Sequence, residues 1–102
     1  MKRTLLTVAL FALLSIVATA QAAGDPAAGK AKVGACVGCH GANGQGSGAN
    51  PPLAGKPEDA LVQALQEYKS GKRNNAVMKS FAGKLSDQDM ADLAAYYASL
   101  KK

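Results

Sequence analysis

Two cysteines and a histidine form the segment best equipped for chemistry, Cys36-Val37-Gly38-Cys39-His40. Residues at positions i, i+3 and i+4 of a helix share one face, with Cβ atoms about 5–6 Å apart. A helical segment would therefore direct both thiols and the imidazole to the same side. This spacing is typical of covalent haem attachment, in which two thiols bond one porphyrin edge and the imidazole binds the iron. No other segment of the chain offers comparable chemistry.

Three other interpretations of the cysteines fit the sequence less well. A thioredoxin-like redox disulfide requires a βαβ context, and no strand pattern lies nearby. A structural zinc site requires four ligands, whereas the chain has only two cysteines and one histidine. A disulfide between Cys36 and Cys39 would form in an oxidising compartment, but it would close a very small loop and give His40 no role.

The first 22 residues have the pattern of an export signal. A basic start at Met1-Lys2-Arg3 precedes an almost unbroken apolar run over residues 5–18, followed by small residues. The run is shorter than the roughly 20 apolar residues that span a bilayer. We predict a signal peptide at 1–22, cleaved after Ala22 or alternatively after Ala20, and one mature domain at 23–102. An uncleaved membrane anchor is the alternative.

The mature domain carries a small positive charge. Lys2 and Arg3 belong to the signal, so ten basic residues face seven acids, for a charge of +3. The basic residues are scattered rather than gathered into a stripe, which argues against nucleic-acid binding. A domain of this size usually needs a staple such as a disulfide, a metal or another prosthetic group. A covalently held porphyrin would serve.

Helical patterns cover most of the mature domain, and no strand period is present. Helices are predicted over residues 26–38, 58–70 and 86–100, and a short turn or helix over residues 76–82. Asp25 is the expected N-cap of the first helix, and Ser86 with Asp89 resembles a capping box at the last. The sequence therefore predicts an all-α fold.

Two features of this pattern concern packing. Gly29 and Gly34 would let another helix approach the first one closely, or alternatively would merely be tolerated there. The last helix has an apolar stripe at Met90, Leu93, Ala94 and Tyr97. The glycine-rich segment 41–52 is expected to be an ordered loop around one edge of the cofactor, because glycine backbone can approach a flat group closely.

A second axial ligand is expected from a methionine, whose soft thioether raises the reduction potential and closes the iron to small ligands. Two methionines remain in the mature domain. Met90 belongs to the apolar stripe, so core packing is its expected role. Met78 follows a loop and has no other duty, so it is the predicted ligand, with gap filling as the alternative.

Five motifs in this order give the chain a family resemblance: CVGCHG, PPLAG, EYKSGKR, AVM and LSDQDMADLAAYYASL. The mature chain resembles the class I cytochromes c, particularly the small single-haem periplasmic ones of bacteria, and one lobe of the two-haem bacterial cytochromes. The resemblance implies one haem c, thioethers at Cys36 and Cys39, proximal His40 and distal Met78. It also implies that the N- and C-terminal helices cross beside the haem.

The resemblance extends to residues around the haem. It implies that a proline carbonyl, of Pro51 or Pro52, accepts the hydrogen bond from the histidine Nδ1. It places Leu53, Tyr68 and Tyr97 on or near the haem. It also suggests, on a looser match, that Arg73 pairs with a propionate.

The implied function is electron transfer rather than catalysis. The protein would be a monomeric periplasmic carrier without stable membrane insertion, exchanging electrons with respiratory partners such as a cytochrome bc-type donor, an oxidase, a peroxidase or a dehydrogenase. Lys56 and Lys79 would steer acidic partners, or would be ordinary solvated lysines. Two alternatives are an open-site haem protein, acting as an enzyme or gas binder, and a haem subunit of a larger complex.

Overall fold

The computed structural model describes residues 23–101, so the predicted signal peptide lies outside the described residues. Five α-helices and one 3₁₀ turn form this part of the chain. They are α1 (Pro26–Lys32), the 3₁₀ turn (Val33–Ala35), α2 (Val37–His40), α3 (Glu58–Ser70), α4 (Ala76–Ala82) and α5 (Asp87–Ser99). The only β-type pairing among residues 23–101 is an isolated bridge between Ser47 and Asn50. The all-α prediction is confirmed.

The first helix is shorter than predicted. The expected continuous helix over 26–38 is wrong, because α1 ends at Lys32 and a 3₁₀ turn precedes α2. The amide of Cys36 donates to the Val33 carbonyl at 2.8 Å, a spacing of three residues. Gly34 lies within this turn and has low helical propensity, which favours the break. The start is as predicted, since the Asp25 side chain accepts the Ala27 amide at 3.0 Å.

The last helix agrees closely with its sequence pattern. Ser86 Oγ accepts the Asp89 amide at 3.0 Å, and Asp89 Oδ2 accepts the Ser86 amide at 2.9 Å, which completes the capping box. The predicted apolar stripe is buried at all four positions: Met90, Leu93, Ala94 and Tyr97. The face of α5 that carries the stripe therefore forms the centre of the core.

Helix α1 packs directly on α5 because glycine permits it. A Cβ atom on Gly29 would lie only 2.0 Å from the carbonyl oxygen of Asp92. Gly24 approaches the Ala91 carbonyl in the same way, at 1.9 Å. The predicted role of Gly29 is confirmed, but that of Gly34 is wrong, because no atom lies within 4 Å of a Cβ placed there.

A buried carboxylate that the sequence did not indicate joins the same two helices. Asp92 on α5 accepts hydrogen bonds from the Asp25 amide at 2.8 Å, Lys32 Nζ at 2.6 Å and Gln88 Nε2 at 2.9 Å. Lys32 Nζ also lies 2.9 Å from Asp89. The backbone hydrogen bond from Asp25, together with Lys32 and Gln88, lowers the pKa of Asp92 to about 2.

Helix α3 packs against both α5 and α4, as its apolar side predicts. Leu61 of α3 is buried in one cluster with Ala94 and Tyr97 of α5. Gly71 ends α3 with φ 84°, a left-handed conformation typical of a glycine at this position. Over residues 23–101, none of the helices combines the length and the apolar character needed to cross a bilayer.

Candidate cofactor site

The helices enclose a cavity of about 530 Å³. Of the residues that sequence analysis assigned to the site, Pro52 alone does not line the cavity. Those that do, besides Arg73, are Cys36, Cys39, His40, Pro51, Leu53, Tyr68, Met78 and Tyr97. Most of the other lining side chains are apolar, including Leu61 and Leu65 from α3, Phe81 from α4 and Leu93 from α5. The cavity therefore joins several potential metal or covalent anchors to a largely apolar wall.

The two cysteines lie three residues apart, with Cys36 just before α2 and Cys39 within it. Cys36 is the N-cap residue of α2, and the His40 amide donates to its carbonyl at 2.9 Å. No disulfide joins the two thiols in the described chain. Cys36 is half-buried, and burial raises its pKa, partly offset by an interaction with Tyr97, whereas Cys39 is exposed. Both sulfurs are thus available for bonding to another group.

The imidazole of His40 is buried and held in one orientation. Its Nδ1 lies 2.9 Å from the carbonyl oxygen of Pro51. A carbonyl only accepts hydrogen bonds, so Nδ1 carries the proton and Nε2 of the neutral ring keeps its lone pair. Such a hydrogen bond fixes the orientation of a ligating histidine. Of the two prolines considered, Pro51 has the carbonyl that reaches the ring.

The glycine-rich loop closes around the cysteine motif through backbone contacts. The Gly46 amide donates to the His40 carbonyl at 2.7 Å, and Ser47 Oγ donates to the Cys39 carbonyl at 3.0 Å. Gly44 has φ 67°, and a Cβ there would lie 2.8 Å from the Tyr97 ring. The segment is an ordered loop, and glycine is required where it crosses the aromatic ring.

Met78 lies in the first turn of α4, where it lines the cavity. Its amide donates to Asn75 Oδ1 at 2.9 Å, so Asn75 caps the helix and fixes the turn that carries the thioether. Sequence analysis missed this residue, although asparagine before a short helix is a usual capping signal. Met90 is fully buried in the core and is not among the residues that line the cavity.

The three cationic residues named in the sequence analysis, Arg73, Lys56 and Lys79, differ in their position relative to the cavity. The Arg73 guanidinium lies 5.3 Å from the centre of the Tyr68 ring, its Nε is 3.4 Å from Glu67, and the residue lines the cavity. Lys56 also lines the cavity, whereas Lys79 is exposed and does not. Among residues 23–101, Arg73 and Lys56 are therefore the lysine or arginine side chains at the cavity.

One polar atom in the cavity wall lacks a partner. The hydroxyl of Tyr97 is buried and makes no hydrogen bond with any of residues 23–101. In the same part of the chain, no three His, Cys, Asp or Glu side chains come together to hold a bare metal ion. The site fits a covalently attached haem better than a bare ion. It combines an apolar wall with two thiols, an imidazole with a free Nε2 and an unpartnered hydroxyl.

Comparison with known proteins agrees with this site. The cytochrome c family model matches residues 26–101. Cytochrome c4 of Pseudomonas aeruginosa is 46% identical over 97 residues, which cover 94% of this chain and 48% of that protein. Cytochrome c-554(548) of Halomonas halodenitrificans is 47% identical over 81 residues, which cover 76% of this chain and 98% of that protein.

The fold comparison gives the same result. The crystal structure of reduced cytochrome c4 from Pseudomonas stutzeri matches with a TM-score of 0.73 and 39% identity, over 78% of this chain and 47% of that one. The chain belongs to the cytochrome c family and resembles one lobe of cytochrome c4. It spans about half the length of the cytochrome c4 relatives that it matches. Family membership implies a covalently bound haem c, and one lobe accommodates one haem.

Proposed function

We propose that this protein is an exported, single-haem electron carrier with histidine and methionine as axial ligands. The supporting observation is that one cavity holds Cys36, Cys39, His40 and Met78 together, with the His40 ring oriented by Pro51. In this proposal residues 1–22 are removed on export, and residues 23–102 act as one domain in the periplasm. The two cysteines would form the thioethers.

The haem supplies a one-electron ferric/ferrous couple when bound. His40 would present Nε2 to the iron, and the Pro51 carbonyl would keep the ring from rotating. Met78 would supply a soft sulfur on the other side, which favours the ferrous state and occupies the position that oxygen or carbon monoxide would need. With both axial positions taken by side chains, the protein would exchange electrons without binding a substrate.

The cavity wall contributes by excluding water. Leu61 and Leu93 are buried, and Leu65 is half-buried beside them on the cavity. Burial of a haem in apolar surroundings is one of the means by which a protein sets its reduction potential. Tyr68 and Leu53 complete this wall, which supports their proposed role in packing on the haem.

The partners would be periplasmic redox proteins. A cytochrome bc-type donor, an oxidase, a peroxidase or a dehydrogenase is the class of partner proposed, with the carrier acting as a monomer. Lys56 at the cavity and exposed Lys79 on α4 would attract acidic surfaces, since complementary charge mainly raises the association rate. Arg73, also at the cavity, would be the cation available to a propionate.

Replacement of Met78 tests the ligand assignment, with Met90 as the matched control. Met78→Ala should lower the reduction potential, admit carbon monoxide to the ferrous protein and abolish the weak near-infrared sulfur–iron band of the ferric protein. Met90→Ala should keep the band and destabilise the fold by about 2–5 kcal/mol, because Met90 is fully buried in the core. Spectroelectrochemistry and absorption spectra report the first set of changes, and denaturant titration reports the second.

Two results would contradict this proposal in different ways. Loss of the band in Met90→Ala with its retention in Met78→Ala would reverse the two assignments. A wild-type protein that never shows the band and binds carbon monoxide at once at neutral pH would be an open-site haem protein instead of a carrier.

A further inference from the structure

Among the buried side-chain polar atoms of residues 23–101, the hydroxyl group of Tyr97 is unusual. Tyr97 is 3% exposed and its ring lines the cavity, yet its oxygen has no hydrogen-bond partner among residues 23–101. A buried hydroxyl without a partner destabilises a fold, whereas phenylalanine would fill the same space without that penalty. The hydroxyl therefore indicates that its hydrogen-bond partner forms only when another group is attached to the polypeptide.

Cys36 is a polar side chain that lines the same cavity as Tyr97. It packs against the buried cluster that contains Leu61, Ala94 and Tyr97. The two groups affect each other, since proximity to Tyr97 partly offsets the rise that burial causes in the pKa of the Cys36 thiol. The free thiol nevertheless does not complete a hydrogen bond with the hydroxyl.

Attachment of a haem would change the hydrogen-bonding capacity of this sulfur. Addition of the thiol across a vinyl group replaces the S–H bond with a carbon–sulfur bond and transfers the hydrogen to carbon. A thiol both donates and accepts, but a thioether sulfur only accepts. The phenolic O–H of Tyr97 is then the only donor of the pair.

We propose that Tyr97 is a positioning residue whose hydroxyl donates a hydrogen bond to the Cys36 thioether sulfur. This inference rests on the proposed attachment of the haem at Cys36. Cys39 is exposed, and the nearby Ser47 hydroxyl donates to the Cys39 backbone carbonyl. The hydrogen bond would thus distinguish the two thioethers, by fixing the orientation of one and withdrawing electron density from its sulfur.

Tyr97→Phe removes the hydroxyl and keeps the ring, and Tyr96→Phe is the matched control. The Tyr96 ring lies 5.3 Å from that of Tyr97, but it is not among the residues that line the cavity. In the ferric holoprotein, Tyr97→Phe should lower the denaturant midpoint and the reduction potential, because a hydrogen bond to sulfur is lost. Tyr96→Phe should leave the potential unchanged.

Resonance Raman spectroscopy reads the sulfur directly. Exchange into deuterium oxide should shift the carbon–sulfur stretching band of wild type and of Tyr96→Phe, since O–H becomes O–D. The band of Tyr97→Phe should not shift on exchange. This measurement supports a contact with sulfur, which a purely structural role of the ring would not produce.

The test begins by alkylating free thiols and weighing each denatured holoprotein. Alkylation of Cys36 in wild type would refute the attachment, and with it the hydrogen bond. If both cysteines resist alkylation, the attachment is supported, and the denaturant midpoint and the Raman band then test the hydrogen bond by itself. An unchanged or higher midpoint in Tyr97→Phe, or a wild-type band insensitive to deuterium, would then overturn it.

Discussion

Gly29 on α1 provides a test of whether close contact between α1 and α5 stabilises the fold. Replacing it with alanine introduces a Cβ 2.0 Å from the Asp92 carbonyl oxygen. Ordinary C···O contacts are about 3.3–3.6 Å, so the helices would have to separate by roughly 1 Å or more. The hydrogen bond from the Asp25 amide to Asp92, now 2.8 Å, would be stretched by the same movement.

Two opposing effects set the size of the change. Alanine gains about 0.5–1 kcal/mol over glycine within a helix. Insertion of an extra methyl group into a packed interface costs about 1–3 kcal/mol. The clash is with backbone, which cannot rotate away, so we expect a cost in the upper part of that range, about 2–3 kcal/mol. After a gain of about 1 kcal/mol from alanine, this leaves a net loss of roughly 1–2 kcal/mol. For a domain of this size, that corresponds to a fall in Tm of roughly 4–16 °C.

Thermal unfolding of the holoprotein, followed by far-UV circular dichroism, measures this fall. Gly34→Ala is the control, because a Cβ there meets no atom within 4 Å and the residue is exposed. Gly34→Ala should leave the Tm unchanged or raise it slightly, by the equivalent of about 0.4–1 kcal/mol. A Gly29→Ala protein as stable as wild type would refute the reasoning, since the two helices would then be able to separate without loss.

Two further predictions concern acid stability and processing. The folded-state pKa of Asp92 is about 2 and its unfolded value is about 3.9, so its contribution to stability is complete above about pH 4–5 and is lost as the pH falls towards 2. In wild type, the denaturant midpoint should fall between about pH 5 and 2, the range set by these two pKa values, and Asp92→Asn should make that fall less steep. The exposed Asp87 is the control, and Asp87→Asn should leave the slope unchanged. Equal slopes for Asp92→Asn and wild type would contradict this prediction. Mass spectrometry of a periplasmic extract should show a chain beginning at Ala23, or at Gln21 for the other cleavage site, plus one haem, and an intact residue 1–22 segment in the membrane fraction would favour an anchor.

Local signals predicted the parts of this fold that local interactions determine. The capping box of Ser86 and Asp89 lies within four consecutive residues, and each side chain accepts the backbone amide of the other at the helix start. The apolar stripe of α5 needs only the helical period. For the same reason the grouping of Cys36, Cys39 and His40 was predictable, since one short helix brings them to one side of the cavity.

Features that depend on distant segments were not predictable. Asp92 appears in the sequence as an ordinary helical acid, and its burial depends on Asp25 and Lys32, which lie 67 and 60 residues away. Gly34 has the same residue type as Gly29, yet only Gly29 faces α5. The choice between Pro51 and Pro52 likewise required the path of the loop, which sequence composition does not specify.

The distance along the chain between α1 and α5 has a consequence for the order of maturation. The loop of 67 residues between Asp25 and Asp92 must close before these contacts form, and closing it costs chain entropy. Until α5 docks, α1 and the Cys36 segment that follows it lack the surface against which they pack. Both thiols are then accessible to the attachment chemistry that we propose, whereas docking of α5 half-buries Cys36 beside Tyr97. Haem attachment before these two helices close would therefore take place while both thiols are accessible.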